Sequence, residues 1–149
     1  MDKAPNKNVI MISIHPQYAE AIFSGEKKVE FRKLNIPKNV EYVVLYVTAP
    51  ESKIAGYFRV KDVIEDDASA LWKMFSDVSG TTKEFFFKYY GETGKGRGLL
   101  VDEVNILKHP ITLGKLNGSS KPPQSFTYVD KKIWENLKRR KKRGSICYF

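Results

Sequence analysis

The sequence predicts an α+β domain, a small mixed β-barrel with flanking helices and a basic C-terminal helix. Three observations lead there. Five or six short segments, some apolar throughout and some alternating, read as strands. The helical segments are set apart from them, so the βαβ rhythm of a Rossmann-like sheet is missing. And 149 residues suit one domain, which at this size buries roughly 70% of its unfolded surface without help from a disulfide or a metal.

Residues 1–8 read as a flexible leader, 9–129 as the folded domain and 130–149 as a basic C-terminal helix and tail. Val9–Ile14 is a β-branched apolar run, the mark of a buried strand. Pro16 suits the first turn of a helix, where its missing N–H costs nothing. Ala19, Ile22 and Phe23 form that helix's apolar face, and Gly25 suits the left-handed position just past its end. From Lys27 to Lys33 the pattern alternates, with Val29 and Phe31 on one side and Lys28, Glu30 and Arg32 on the other. Tyr42–Thr48 is apolar on both faces, as a central strand is. Lys53–Ile64 is a long strand with a bend at Gly56. Asp66 and Asp67 precede a helix over Ala68–Ser76. Thr81 with Glu84 makes a capping box for a second helix, Thr82–Tyr90, which carries five aromatics. That exceeds one buried stripe, so some rings must face a cleft, a partner or the neighbouring helix. After a glycine-rich basic loop, Gly91–Gly98, come a strand over Leu99–Leu107, a short apolar return over Pro110–Leu116 and a last strand over Gln124–Val129. Asp130 then caps a helix running to about Lys142.

Charge is unevenly spread. Residues 130–149 hold eight Lys and Arg against two acids, while residues 1–129 hold eighteen against fifteen. A basic end on a nearly balanced body points to a polyanion, nucleic acid before membrane; a solubilising end is the plain alternative. No apolar run reaches the roughly 20 residues of a membrane helix, and the first residues lack the apolar core of a secretory signal. Cys147 is the single cysteine, which excludes a disulfide or a cysteine zinc site within one chain. The two histidines, His15 and His109, have no ligand spacing. No metal and no cofactor are expected, and the expected compartment is the cytoplasm.

The glycine-rich loop fails the spacing of a nucleotide-binding P-loop, since Gly94-Lys95 is followed by Gly96. Lys95 and Arg97 fit a nucleic-acid backbone contact better, because glycines let N–H groups approach phosphate; a plain hairpin loop is the alternative. The stretch 27–32 carries more. Its charged face is either a solvated ladder of pairs or the wall of a cleft. In a cleft, Glu30 and Arg32 would have to pair with one another or with Lys27 or Lys28.

Ser13–Ile22, followed by Gly25, Lys27, Glu30 and Arg32 in the spacing Gly-x-Lys-x-x-Glu-x-Arg, resembles the ASCH domain family of the PUA-like superfamily. The likeness continues through Tyr46–Pro50 and Ile54–Phe58 to Pro122–Phe126. The resemblance implies a small β-barrel whose cleft holds the marked Lys, Glu and Arg, in proteins generally associated with RNA or other nucleic acid. Some small members are amidohydrolases acting on acetylated cytidine through a lysine, a threonine and a glutamate, and ribonuclease activity is described for others. Lys27 stands at the lysine position and Glu30 at the threonine position.

The main expectation is therefore a nucleic-acid-binding module, RNA before DNA. Lys27, Lys28, Glu30 and Arg32 would read a base or nucleotide, with His15, Gln124 and Ser125 on the rim. Lys95, Arg97 and the run Lys138, Arg139, Arg140, Lys141, Lys142 and Arg143 would contact phosphates. The alternative is a small hydrolase, an amidohydrolase on a modified cytidine or a ribonuclease, with Lys27 and Glu30 as catalytic groups.

Overall fold

The computed structural model describes residues 5–91, 94–117 and 121–147. The first four residues of the expected leader, Glu92 and Thr93 of the glycine-rich loop, residues 118–120 and the last two residues lie outside that range. Strand β1 (Pro5–Ile14) is followed by helix α1 (Pro16–Ser24), β2 (Val29–Arg32), β3 (Tyr42–Val47) and β4 (Lys53–Asp67). Helix α2 (Ala68–Phe75), a single 3₁₀ turn (Ser76–Val78) and α3 (Lys83–Tyr90) come next. They precede β5 (Lys95–Ile111), α4 (Leu113–Asn117), β6 (Phe126–Asp130), α5 (Lys131–Arg139) and β7 (Lys142–Cys147).

The strands make one mixed sheet in the order β2-β5-β4-β3-β1-β6, with β7 added beside β5. The β1–β3 pair is parallel and the other pairs are antiparallel. The α+β class holds, but the expected β-barrel does not: the sheet is open. Closure requires the two outer strands to pair at a consistent tilt and stagger. Here β2 has four residues that pair with β5, and β6 has five that pair with β1. The chain's last strand does not bridge them but lines up on Glu103–Leu107 of β5. Register shifts along β4 and β5 bend these two long strands instead of closing the sheet.

The apolar run of β1 is buried on both sides because both sheet faces are covered. Ile10, Ile12 and Ile14 pack with Ile22 of α1, Leu45 and Phe58. Val9 and Met11 point the other way, to Val44, Tyr57 and the Trp134 and Leu137 of α5. Each such side chain contributes about 1.5–3 kcal/mol by leaving water. A third cluster joins Val29 and Phe31 of β2 to Leu71 of α2 and Phe86 of α3, so the short edge strand is held by helices as much as by its ladder.

Three local expectations shift. Thr82, not Thr81, caps α3, its hydroxyl accepting from the Phe85 N–H at 3.2 Å. The basic helix stops at Arg139, because Arg140 turns extended and donates its N–H to the Leu137 carbonyl; the end of the basic run becomes β7, since the middle of β5 has an open edge to fill. Lys95 and Arg97 lie in β5 opposite Asp67 and Glu65, not in a loop.

Candidate functional site

Helix α1 begins at Pro16 and ends at Gly25, whose φ of 88° reverses the chain. The turn delivers Lys27 inward just before β2. β2 then places Glu30 and Arg32, and α3 crosses above them. Between these elements, with the end of β1, lies a concave pocket of about 280 Å³. Ser13, Ile14 and His15 form one wall, Lys27, Glu30, Phe31 and Arg32 the floor, and Tyr18, Thr81, Phe85, Phe86 and Tyr89 the remainder.

The charged groups of the floor face one another, Lys27 and Glu30 buried and Arg32 half-buried. Lys27 is 3% exposed and Glu30 6%. The two oxygens of Glu30 differ. Oε2 accepts from Arg32 Nε at 2.9 Å and stands 2.8 Å from Arg32 Nη2, a fork geometry that fixes both side chains. Oε1 faces Lys27 Nζ at 3.5 Å and makes no hydrogen bond among the described residues. Arg32 also donates to the Ser13 carbonyl at 2.9 Å, tying β2 to the end of β1. Lys27 donates to the Ser79 carbonyl at 2.5 Å and sits 5.4 and 5.5 Å from the centres of the Tyr18 and Phe31 rings, where the ring faces favour a cation.

The turn that receives Lys27 was not singled out by its sequence. Gly80 has a φ of +65°, and a Cβ there would lie 2.7 Å from Lys27 Cβ, so glycine is required both by conformation and by space. Thr81, freed from capping, places its hydroxyl 3.3 Å from Tyr18 Oη. Thr-Thr after Ser-Gly was the available signal, but its capping pattern concealed the turn. The aromatic excess of α3 divides as its density requires. Phe86 is buried with Trp72 and Phe87 beside it, while Phe85 and Tyr89 line the pocket at 60% and 43% exposure. Tyr90 donates to the Arg32 carbonyl at 2.6 Å, and burial, with Tyr89 and Glu30 nearby, raises its phenol well above the ordinary tyrosine range. Burial raises Tyr89 as well.

Of the expected site residues, His15, Lys27, Glu30 and Arg32 meet in this pocket. Lys28 does not; it is exposed, and the buried Lys27 takes the place the alternation gave it. Gln124 is exposed and Ser125 accepts from Asn35 Nδ2 at 3.0 Å. Neither lines the pocket, though the Pro123 carbonyl accepts from Ser13 Oγ at 2.6 Å and holds their segment near the rim. Lys95 is exposed on β5. Arg97 is turned inward: it donates to Glu65 at 3.0 Å, to the Leu34 carbonyl at 2.7 Å and to the Ile36 carbonyl, and its hydrogen bond holds the Glu65 carboxyl below the usual range.

The C-terminal cations lie apart from the pocket, on α5 and β7. Lys138 pairs with Glu135 at 3.1 Å. Arg139 donates to the Glu135 carbonyl and Arg140 to Asn136 Oδ1. Lys142 donates to the Leu137 and Lys138 carbonyls, and burial lowers its ammonium below the ordinary lysine range. Lys141 and Arg143 are exposed. Among the described residues no three His, Cys, Asp or Glu gather as a metal would need, and no helix is long and apolar enough to cross a membrane.

Residues 12–106 match the ASCH domain. The chain is 27% identical over 141 residues to an "ASCH domain-containing ribonuclease" of Zymomonas mobilis, covering 92% of this chain and 95% of that protein. The crystal structure of a serine-to-alanine mutant of the Zymomonas mobilis ASCH protein superposes with a TM-score of 0.80 at 26% identity, covering 90% and 96% of the two chains. Part of the large ribosomal subunit protein uL22 of Ureaplasma parvum is also similar, 31% identical over 121 residues, which are 80% of this chain and 39% of that protein.

Proposed function

The chain belongs to the ASCH domain family of the PUA-like superfamily, and from that premise we propose that it is a ribonuclease acting on single-stranded RNA, with the pocket between β2 and α3 as its catalytic centre. The fold is consistent with nucleic-acid binding. The observation that carries the step from binding to cleavage is the end-to-end likeness to the Zymomonas mobilis ribonuclease. The pocket supplies what such a reaction uses. Phe85 and Tyr89 offer exposed rings on which an unpaired base stacks. Lys27 and Arg32 bring two positive charges to where a phosphate would sit, out of bulk water, where such charges stabilise a developing oxyanion most. The amidohydrolase reading is weaker, because its threonine position holds Glu30, locked to Arg32.

In the proposed reaction the 2′-hydroxyl attacks the adjacent phosphorus and the P–O5′ bond breaks, leaving a 2′,3′-cyclic phosphate and a 5′-hydroxyl. Glu30 Oε1 takes the 2′ proton and the Lys27 ammonium gives a proton to the leaving O5′. Transfer from Glu30 to Lys27, which stand 3.5 Å apart, restores the resting state.

The test incubates the protein with a labelled single-stranded RNA of mixed sequence and with its all-deoxy counterpart. Cleavage of the RNA alone, lost at least a hundredfold in Lys27→Met and Glu30→Gln proteins that keep the wild-type circular dichroism, is the expected result. RNA that is bound by the wild-type protein and never cut would leave a binding module and remove the catalytic reading.

A further inference from the structure

A second depression lies on the far side of the sheet's end, lined by Lys53, His109, Thr112, Lys115 and Arg140 with Pro110 and Ile111. No carboxylate lines it. Lys53, His109 and Lys115 are exposed and, among the described residues, none of them is in an ion pair or hydrogen bond through its side chain. Arg140 uses Nε on Asn136 and leaves its terminal nitrogens without a protein acceptor among the described residues. Lys27 and Arg32 of the pocket already face a protein carboxylate; the basic groups of the depression do not.

The strand register fixes where this depression stands. Ile14 is opposite Val47, Val47 is opposite Lys53, and Ile54, next to Lys53, is opposite Ile111. His15 at the pocket rim and Lys53 and Thr112 at the depression therefore lie along one end of the sheet. From β1 to β5 there are three strand spacings, roughly 14 Å at about 4.8 Å each. A few nucleotides of an extended single strand cover that distance.

We propose that this depression is a phosphate subsite for the RNA strand whose cleaved nucleotide occupies the pocket: the strand leaves past His15, runs along the sheet end, and lays a phosphate among Lys53, His109, Lys115 and Arg140. The proposal rests on the RNA reading of the pocket and adds to it a length dependence. Substrates that reach the depression bind more tightly and with a steeper salt dependence than substrates that fill the pocket alone. The subsite carries no base contacts and so no sequence preference.

The experiment measures binding by fluorescence anisotropy of a 2′-O-methyl RNA hexamer and a dinucleotide, to wild type and to Lys53→Glu/Lys115→Glu, across a salt series. The double variant should weaken the hexamer about tenfold and flatten the slope of log K against log salt by about 0.7, one phosphate contact's worth for a single strand. Its dinucleotide affinity should equal that of wild type. Lys53→Gln/Lys115→Gln, which adds no acid, should give a weaker effect of the same sign. Equal hexamer affinity and slope in wild type and both variants overturns the subsite while the RNA reading stands. A wild-type protein that binds neither oligonucleotide overturns the RNA reading and the subsite with it.

Discussion

The protein keeps its positive charge in two forms. In the pocket, the buried Lys27 and the half-buried Arg32 share one carboxylate, Glu30, and are fixed by the Ser79 and Ser13 carbonyls. Along α5, β7 and the second depression, most lysines and arginines are exposed and those with partners hold surface groups, and the last twenty residues carry eight basic groups against two acidic ones. A buried charge is expensive unless paired, so it can serve only where geometry is fixed. A solvated charge costs little, acts over about a Debye length and is screened by salt. The first kind suits chemistry and the second suits attraction of a strand. The bulk of the net charge, the feature most visible in composition, lies away from the pocket between β2 and α3.

The sharpest way to break this contrast is to remove the hub of the buried set. Glu30→Ala leaves Lys27 and Arg32 buried without their common partner and should lower stability by about 3–5 kcal/mol in urea unfolding; a loss under 1 kcal/mol would mean that water already solvates the pocket floor. Gly80→Ala should cost about 1–2 kcal/mol, from strain at a positive φ and contact with the Lys27 stem. An unchanged midpoint would show that the turn is free to relax. A third effect is confined to alkaline solution. Burial pushes the Tyr57 phenol up to about 12 and raises Tyr89 and Tyr90 as well. Folded values above the unfolded ones mean stability that is complete below about pH 10 and lost as pH climbs through about 12. An ultraviolet titration should therefore show part of the tyrosine signal rising late and together with unfolding; eight tyrosines ionising near pH 10 in a folded protein would refute it. Smallest of all, Lys138→Ala on the solvated side removes an exposed pair with Glu135 and should move stability by no more than about 0.5 kcal/mol.

Much of the pocket was legible in the sequence because its residues sit close together in the chain. The glycine stop, the alternation after it and the marked Lys, Glu and Arg all fall within Gly25–Arg32, where local rules apply. What the alternation misassigned was Lys27 against Lys28, since Lys27 precedes the strand and its direction is set by the turn at Ser79–Gly80, which begins 52 residues on. Phe85 and Tyr89 were signalled only as surplus aromatics; which rings of an overfull helix face a cleft depends on how that helix is docked. The open sheet was not legible at all. Strand count and hydrophobicity are the same for a barrel and for an open sheet, and the difference lies in which edges pair. The basic run misled in the same way, since its length of charge resembles a helix while an open edge on β5 recruits its end as a strand.

Strand β5 meets β2, β4 and β7 at different points along its 17 residues, and this orders events in time. Its pairing with β4 starts across 28 positions, from Asp67 to Lys95, whereas Glu30 must find Leu99 across 69; loop closure favours the first over the second. β2 is also a short outer strand, four residues long. Its amides should exchange with solvent deuterium well before those of β3 and β4, so that the pocket floor opens and recloses many times within the lifetime of one folded core.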